Sequence, residues 1–217
     1  DGSAPFQHTF ELRRLRVVFW GNVFGEHAKY FFQLALAPRE LQLHDGTLHS
    51  HPAWDVYMSF DRLRDLTLRV GMYRPQYSRE RLIQDINPLL VDRSLANAEF
   101  NLDRDVGLQV FSTDAGGAGN RFGYALGVFG GDGRNRLGVN PGLLYVARVQ
   151  VLPFGGFDDY TEGDLSRQRR PRLAISLAGA FNHMSVRSRS TFDTTFRLGS
   201  FDYVQATADF VFKFAGW

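Results

Sequence analysis

Apolar and polar residues alternate with period two along most of the chain, the pattern of strands that keep one apolar face. Leu15, Val17 and Phe19 stand opposite Arg14 and Arg16. Tyr30, Phe32, Leu34 and Leu36 oppose Lys29, Gln33 and Ala35. Trp54, Val56, Met58 and Phe60 oppose Asp55, Tyr57 and Ser59, and Leu66, Leu68, Val70 and Met72 oppose Thr67, Arg69 and Gly71. The alternation returns at Val106–Val110, Phe122–Val128, Leu143–Val151 (with Arg148 and Gln150 on the polar side) and Leu173–Leu177 (opposite Arg172 and Ser176). It closes with Val204, Ala206, Ala208, Phe210, Phe212 and Phe214 opposite Gln205, Thr207, Asp209 and Lys213. The pattern predicts an all-β, antiparallel fold of nine strands with no long amphipathic helix.

Two architectures present such strands. A soluble sandwich places a strand every ~8–12 residues, whereas nine strands in 217 residues are spaced at about 24. Spans of ~9–11 residues with long alternate connections are the habit of a transmembrane β-barrel. The polar side mixes Gly, Ala, Ser and Gln with single arginines, a composition suited to a crowded, wet interior. Tyr30, Phe32, Trp54, Phe60, Tyr73, Phe181 and Tyr203 lie near predicted strand ends, where interfacial aromatic girdles belong.

The connections alternate in length. Residues 21–27, 61–65 and 112–120 are short; 38–52, 74–104 and 130–141 are longer, and 154–171 breaks the rule. With short turns in the periplasm and long loops outside, the strand Phe10–Trp20 runs from the outside inwards, so one strand is expected before it. Nine is odd, while single-chain bacterial barrels have even counts. Trp217 is out of phase with Phe210, Phe212 and Phe214. The expectation is one β-barrel domain over 1–217, a middle segment incomplete at both ends. A start at Asp1 without a signal-peptide pattern suggests a mature or trimmed product.

Composition narrows the function. Hydrophobic residues are 44% and aromatics 14%, too many for disorder. There is no cysteine, which excludes disulfides and thiolate metal or redox sites. No apolar run approaches a transmembrane helix. Lys+Arg is 25 against 23 Asp+Glu, and since Lys29 and Lys213 are the lone lysines, 23 of those 25 are arginine. A net charge of +2 does not call for nucleic acid. The densest basic stretch, Arg167 to Arg172, reads as a solvated loop.

Several segments resemble the phosphate-selective porin O and P family. Phe10-Glu-Leu-Arg-Arg-Leu-Arg-Val resembles its Arg-rich second strand, and Val70-Gly-Met-Tyr-Arg-Pro-Gln-Tyr-Ser-Arg-Glu its glycine, basic residue and proline motif, which opens the long loop. Asp92-Arg-Ser with Arg104-Asp-Val-Gly resembles the re-entry to the barrel. Tyr124-Ala-Leu-Gly-Val-Phe-Gly-Gly-Asp-Gly and Gly142–Pro153 resemble the strands that follow. The match covers roughly residues 10–181. It implies a sixteen-stranded barrel, trimeric, in the outer membrane of a Gram-negative bacterium, with an infolded loop and with this chain as about strands two to ten. Family members named for phosphate have lysine-rich interiors, a feature this chain lacks.

A pore acts through the charge and width of its lumen. The polar set Arg14, Arg16, Lys29, Asp55, Arg69, Arg148, Arg172, Asp209 and Lys213 is expected to line it, and seven of these nine are basic. Arginine carries a permanent charge and a planar fork that fits carboxylate or phosphate; the bland reading is that each arginine braces the wall by pairing with a carboxylate. The 74–104 segment exceeds the length of an idle loop. It is expected to fold inwards, with Arg74, Arg79, Arg81, Asp85, Asp92 and Arg93 at a constriction and the run Leu89-Leu-Val packed on the wall. His44, Asp45, His49 and His51 read as an ordinary exposed loop, so no metal and no cofactor is expected. Nothing points to an enzyme: G-x-S-x-G is absent, and Gly130-Gly-Asp-Gly lacks the Lys-Ser/Thr of a phosphate loop. Two functions remain in view. One is a diffusion pore for small anions, possibly phosphate, in contact with outer-membrane lipid. The other is a barrel with a plugged lumen, serving as anchor or partner in a larger assembly.

Overall fold

A computed structural model describes residues 10, 12, 14–41, 43–44, 47–48, 51–84, 88, 90, 93–134, 141–196 and 199–216, without the side chains of 39, 43, 44, 47, 48 and 192–195. Nine strands form one sheet: β1 (Arg16–Asn22), β2 (Ala28–Ala35), β3 (Ala53–Leu63), β4 (Leu66–Tyr73), β5 (Asp105–Ser112), β6 (Phe122–Phe129), β7 (Leu144–Val151), β8 (Arg172–Ser185) and β9 (Phe201–Lys213). Each strand pairs with the next in sequence, and every described pairing is antiparallel. Among the described residues, the outer edges of β1 and β9 have no strand beside them.

The expected strand count is met, with changes at the ends. Pairing begins at Arg16, so Phe10, Leu12 and Arg14 lie ahead of β1, exposed. β8 runs on to Ser185. Two small hairpins, Leu43–His44 with Thr47–Leu48 and Arg187–Arg189 with Phe192–Thr195, decorate the long connections.

Burial along the strands is the reverse of a soluble sheet. On one face Phe210 is 75% and Val204 81% exposed, and Leu126, Val106, Leu177 and Phe19 are exposed with them. On the other face the side chains of Arg104 and Arg148 are 2% exposed. Gln109, Ser176 and Asn182 are buried on that polar face too.

Part of the polar face is a true apolar core. Tyr77 and Leu102, from the segment between β4 and β5, pack with Tyr73, Phe129, Leu144, Val146, Ala178 and Ala180. The 74–104 segment therefore lies against the polar face of the sheet, anchored by burial worth about 1.5–3 kcal/mol per large side chain. The anchors differ from the expected ones: of the run Leu89-Leu-Val, Leu90 is exposed and the other two lie outside the described residues. Short helices at Arg79–Leu82 and Leu95–Phe100 shape the segment, the second capped by Ser94 Oγ accepting from the Asn97 N–H.

Glycine is required where rings lie flat on the polar face. Tyr57, Gly71, Gly107 and Phe129 face one another in register across β3–β6. A Cβ on Gly107 would fall 2.5 Å from Phe129 Cδ1 and 2.8 Å from Phe129 Cα. At Gly71, φ is +135° and Tyr57 Cα would lie 2.7 Å from a Cβ. Both positions let an aromatic ring from the next strand cover bare backbone.

Candidate functional site: the arginine-rich polar face

Arg79 opens the short helix of the 74–104 segment and is buried against two strands and a loop. Its Nε donates to Asp209 Oδ1 of β9 at 2.5 Å, and its Nη2 donates to Ser176 Oγ of β8 at 2.6 Å. Its Nη1 donates to the Asp159 carbonyl at 3.0 Å and forms a closer ion pair with the Asp159 carboxylate. Asp159 belongs to the 152–171 connection, which enters from the opposite end of the sheet. Two segments from opposite ends thus meet at one guanidinium.

Arg148 of β7 completes this node. Its Nη2 donates to Asp209 Oδ2 at 3.0 Å, and its Nη1 holds the Tyr77 carbonyl at 2.5 Å. Gln150 Nε2 donates to Asp159 Oδ2 at 2.6 Å, and Gln150 Oε1 accepts from the Tyr160 hydroxyl at 3.2 Å. Burial pushes the Tyr160 phenol above its ordinary pKa. Two arginines face two aspartates, so the node is neutral, and the protein itself occupies its guanidinium donors except Arg148 Nε, which is buried without a partner.

A second cluster surrounds Trp54. The guanidinium carbons of Arg16, Arg104 and Arg134 lie 4.6, 4.4 and 4.1 Å from the indole ring centroid. Arg16 pairs with Glu40 at 2.7 Å, and Arg104 holds both Asp55 carboxylate oxygens at 3.0 Å. Trp54 was placed on the apolar face by alternation, and the structure corrects this. Gln33 pairs with Asp55 while Leu34 pairs with Ala53, so a bulge drops Trp54 from the ladder and leaves its ring among the arginines.

Arg69 stands apart. Its guanidinium carbon lies 4.3 Å from the ring centroid of Tyr57, 4.8 Å from that of Phe111 and 5.4 Å from that of Tyr73. Its Nε donates to Ser59 Oγ at 3.2 Å. Among the described residues no carboxylate pairs with it, so its charge is uncompensated there, and the rings partly cover the half-buried guanidinium.

No family model, no curated protein and no solved structure matches this chain.

The expected lining residues divide by partner. Arg16, Asp55, Arg148 and Asp209 are on the polar face in ion pairs. Lys29 pairs with Asp61 at 2.5 Å near the β3–β4 turn, half exposed. Arg172 and Lys213 face each other across β8 and β9. They donate to the 152–171 connection: Arg172 to the Gly156 carbonyl and Gln168 Oε1, Lys213 to the carbonyls of Asp158 and Gly163 and to Thr161 Oγ1. Arg14, expected inside, is exposed because it precedes the first paired residue of β1.

The expected constriction residues mostly brace. Arg74 donates to the Arg81 carbonyl, Arg93 to the carbonyls of Glu80 and Ile83, and Arg81 pairs with Asp103 at 3.4 Å. Asp85 and Asp92 lie outside the described residues, as do Asp45, His49 and the side chain of His44; His51 is exposed. Tyr73, expected in an outer girdle, is buried in the core under the 74–104 segment.

The site also contains residues outside the expected lining and constriction sets. Asp159, Gln150, Ser176 and Tyr160 build the node, and Glu40, Arg104 and Arg134 join the Trp54 cluster. A cavity of about 500 Å³ remains beside the node, lined by Gln76, Thr113, Gln150, Phe157 and Asp158 among others.

Proposed function

We propose that this chain is part of a transmembrane β-barrel of a Gram-negative outer membrane and that the barrel passes small anions. The observation that carries the reading is the inverted burial. Large apolar side chains cover the open face of all nine strands, while buried arginines and amides occupy the other face. In water such a sheet would expose far more contiguous apolar surface than soluble proteins carry. In lipid it is the ordinary arrangement, and only a closed barrel leaves no strand edge unpaired there. The edges of β1 and β9 would then pair with further strands, as the resemblance to sixteen-stranded porins implies. Trimerisation follows from the same resemblance.

The polar face supports anions more narrowly than its arginine count suggests. Arg16, Arg79, Arg104 and Arg148 are paired with carboxylates. The attraction for anions rests on Arg69 and, near the short-turn end, on Arg172 and Lys213. A second reading, a plugged barrel that serves as an anchor, is favoured by the neutral node where the 74–104 and 152–171 segments meet.

The test is the reversal potential of the full-length protein in a planar bilayer under a salt gradient. The pore reading expects a potential on the chloride side, reduced when Arg69 is replaced by methionine. No conductance from correctly inserted, heat-resistant oligomers would establish the plugged reading instead.

A further inference from the structure

Ser59, Arg69 and Gln109 lie side by side in one row across β3, β4 and β5. Ser59 and Gln109 are buried. Directly opposed residues on one face of a sheet have Cβ atoms about 4.5–5.5 Å apart, so the three side chains share one small volume. Their polar groups are largely donors left over. Arg69 uses Nε on Ser59 Oγ, and among the described residues no carboxylate meets its two Nη groups. Ser59 accepts that bond through its oxygen, and its own proton remains to be given. Gln109 Nε2 is buried without a hydrogen-bond partner. A buried donor left unmade costs about 1–3 kcal/mol, and a native structure retains one where something else satisfies it.

The nearest charges do not supply the missing acceptor. Asp55 of β3 is held by both nitrogens of the Arg104 fork. Tyr57, Tyr73 and Phe111 lie around the guanidinium and partly shield it from water. Two of those rings are held in turn by neighbouring rings: Phe31 stacks on Tyr57 at 5.1 Å and Phe129 meets Tyr73 at 5.5 Å.

We propose that the Ser59–Arg69–Gln109 row is a binding subsite for a small monovalent anion, of the class of chloride, bromide or nitrate. The role as a step in conduction rests on the pore reading; the site itself does not. One uncompensated positive charge balances one negative charge. A dianion such as sulfate or doubly ionised phosphate would carry an excess negative charge into a ring-lined, partly dehydrated row, where charge imbalance is expensive. The row therefore selects monoanions over dianions, a preference opposite to the phosphate specificity that the family resemblance implies.

The experiment uses crystals of the full-length protein soaked in sodium bromide, with bromide located by its anomalous scattering, alongside bilayer recordings of the same protein. The expected result is a bromide peak within hydrogen-bond distance of Arg69 and Gln109. It should be lost in Arg69→Met, restored in Arg69→Lys and weakened in Gln109→Leu. Sulfate at equal concentration should not displace it. Half-saturation of chloride conductance should rise about tenfold in Arg69→Met. Absence of bromide from this row in the wild-type protein, or its displacement by equimolar sulfate, overturns the proposal. Retention of the peak in a folded Arg69→Met variant overturns it too. Bromide bound in a protein that does not conduct keeps the subsite and removes the pore. Chloride-selective conduction with no bromide in the row does the reverse.

Discussion

Replacing Arg79 by methionine should loosen the 74–104 and 152–171 segments together. The guanidinium is the group in which they meet, through Asp159 on one side and Asp209 and Ser176 on the other. Methionine fills much of the same volume but leaves the buried Asp159 and the partly buried Asp209 without their shared cation. Removing one partner of a buried pair costs about 3–5 kcal/mol. Spent on local opening, that raises the open population about 10²–10⁴-fold. Hydrogen exchange in detergent checks this directly. Backbone amides at 76–83 and 157–161 should both lose protection, while those of β5 and β6 keep theirs. Arg148 would remain on Asp209 and the Tyr77 carbonyl, so Arg79→Met should not unfold the sheet. If only the 74–104 amides exchange faster, the two segments are held independently and Asp159 is not a working partner.

Gly107→Val should prevent assembly of the sheet. The added atoms would enter the space of the Val128 carbonyl oxygen and of Phe129, where a Cβ alone lies 2.8 Å from Phe129 Cα. Neither neighbour can retreat. The carbonyl belongs to β6, paired to Gly107 through Phe129, and the Phe129 ring is packed in the core with Tyr73 and Leu144. Overpacking in a closed core costs about 1–3 kcal/mol even where side chains can shift, and more where backbone must. The expected outcome is loss of the heat-resistant form on unboiled gels and a collapse in folded yield. Gly179→Ala is the matched control. The nearest atom to its new Cβ is the Gln205 carbonyl oxygen at 3.9 Å, so folding should proceed normally. Equal yields for the two variants would mean that the ring of Phe129 does not rest on Gly107.

Period two carried most of the fold. Leu143–Val151 and Val204–Phe212 have the predicted faces because their alternation is unbroken across the pairs β7–β8 and β8–β9. Trp54 failed at a bulge, which shifts a side chain to the other face without leaving a mark in the residue types. Tyr73 failed for a different reason: a position near a strand end says nothing about a loop that folds back over it. The candidate site was half legible. Arg69, Arg148, Arg172, Asp209 and Lys213 follow from strand parity. Their partners do not, because Asp159 lies 80 positions from Arg79 and Glu40 lies 24 from Arg16. Such pairings are set by how connections fold over the sheet, and no local spacing rule describes that. This is why the sequence leaves anion contact and bracing both open for each arginine, and it is the structure that shows Arg16, Arg79, Arg81, Arg104 and Arg148 paired with carboxylates.

The central claim is that the apolar face meets lipid. These 217 residues contain no cysteine, so single cysteines introduced along β9 can be spin-labelled without background from this part of the protein, any cysteine elsewhere being replaced by serine. The most direct measurement is the accessibility of each label, in proteoliposomes of the full-length protein, to oxygen and to a water-soluble nickel complex. The account predicts high oxygen and low nickel accessibility at 204, 206, 208, 210 and 212, with the reverse at 205 and 207. Nickel-accessible labels at 208, 210 and 212 would place Phe210 and Phe212 in water and contradict it.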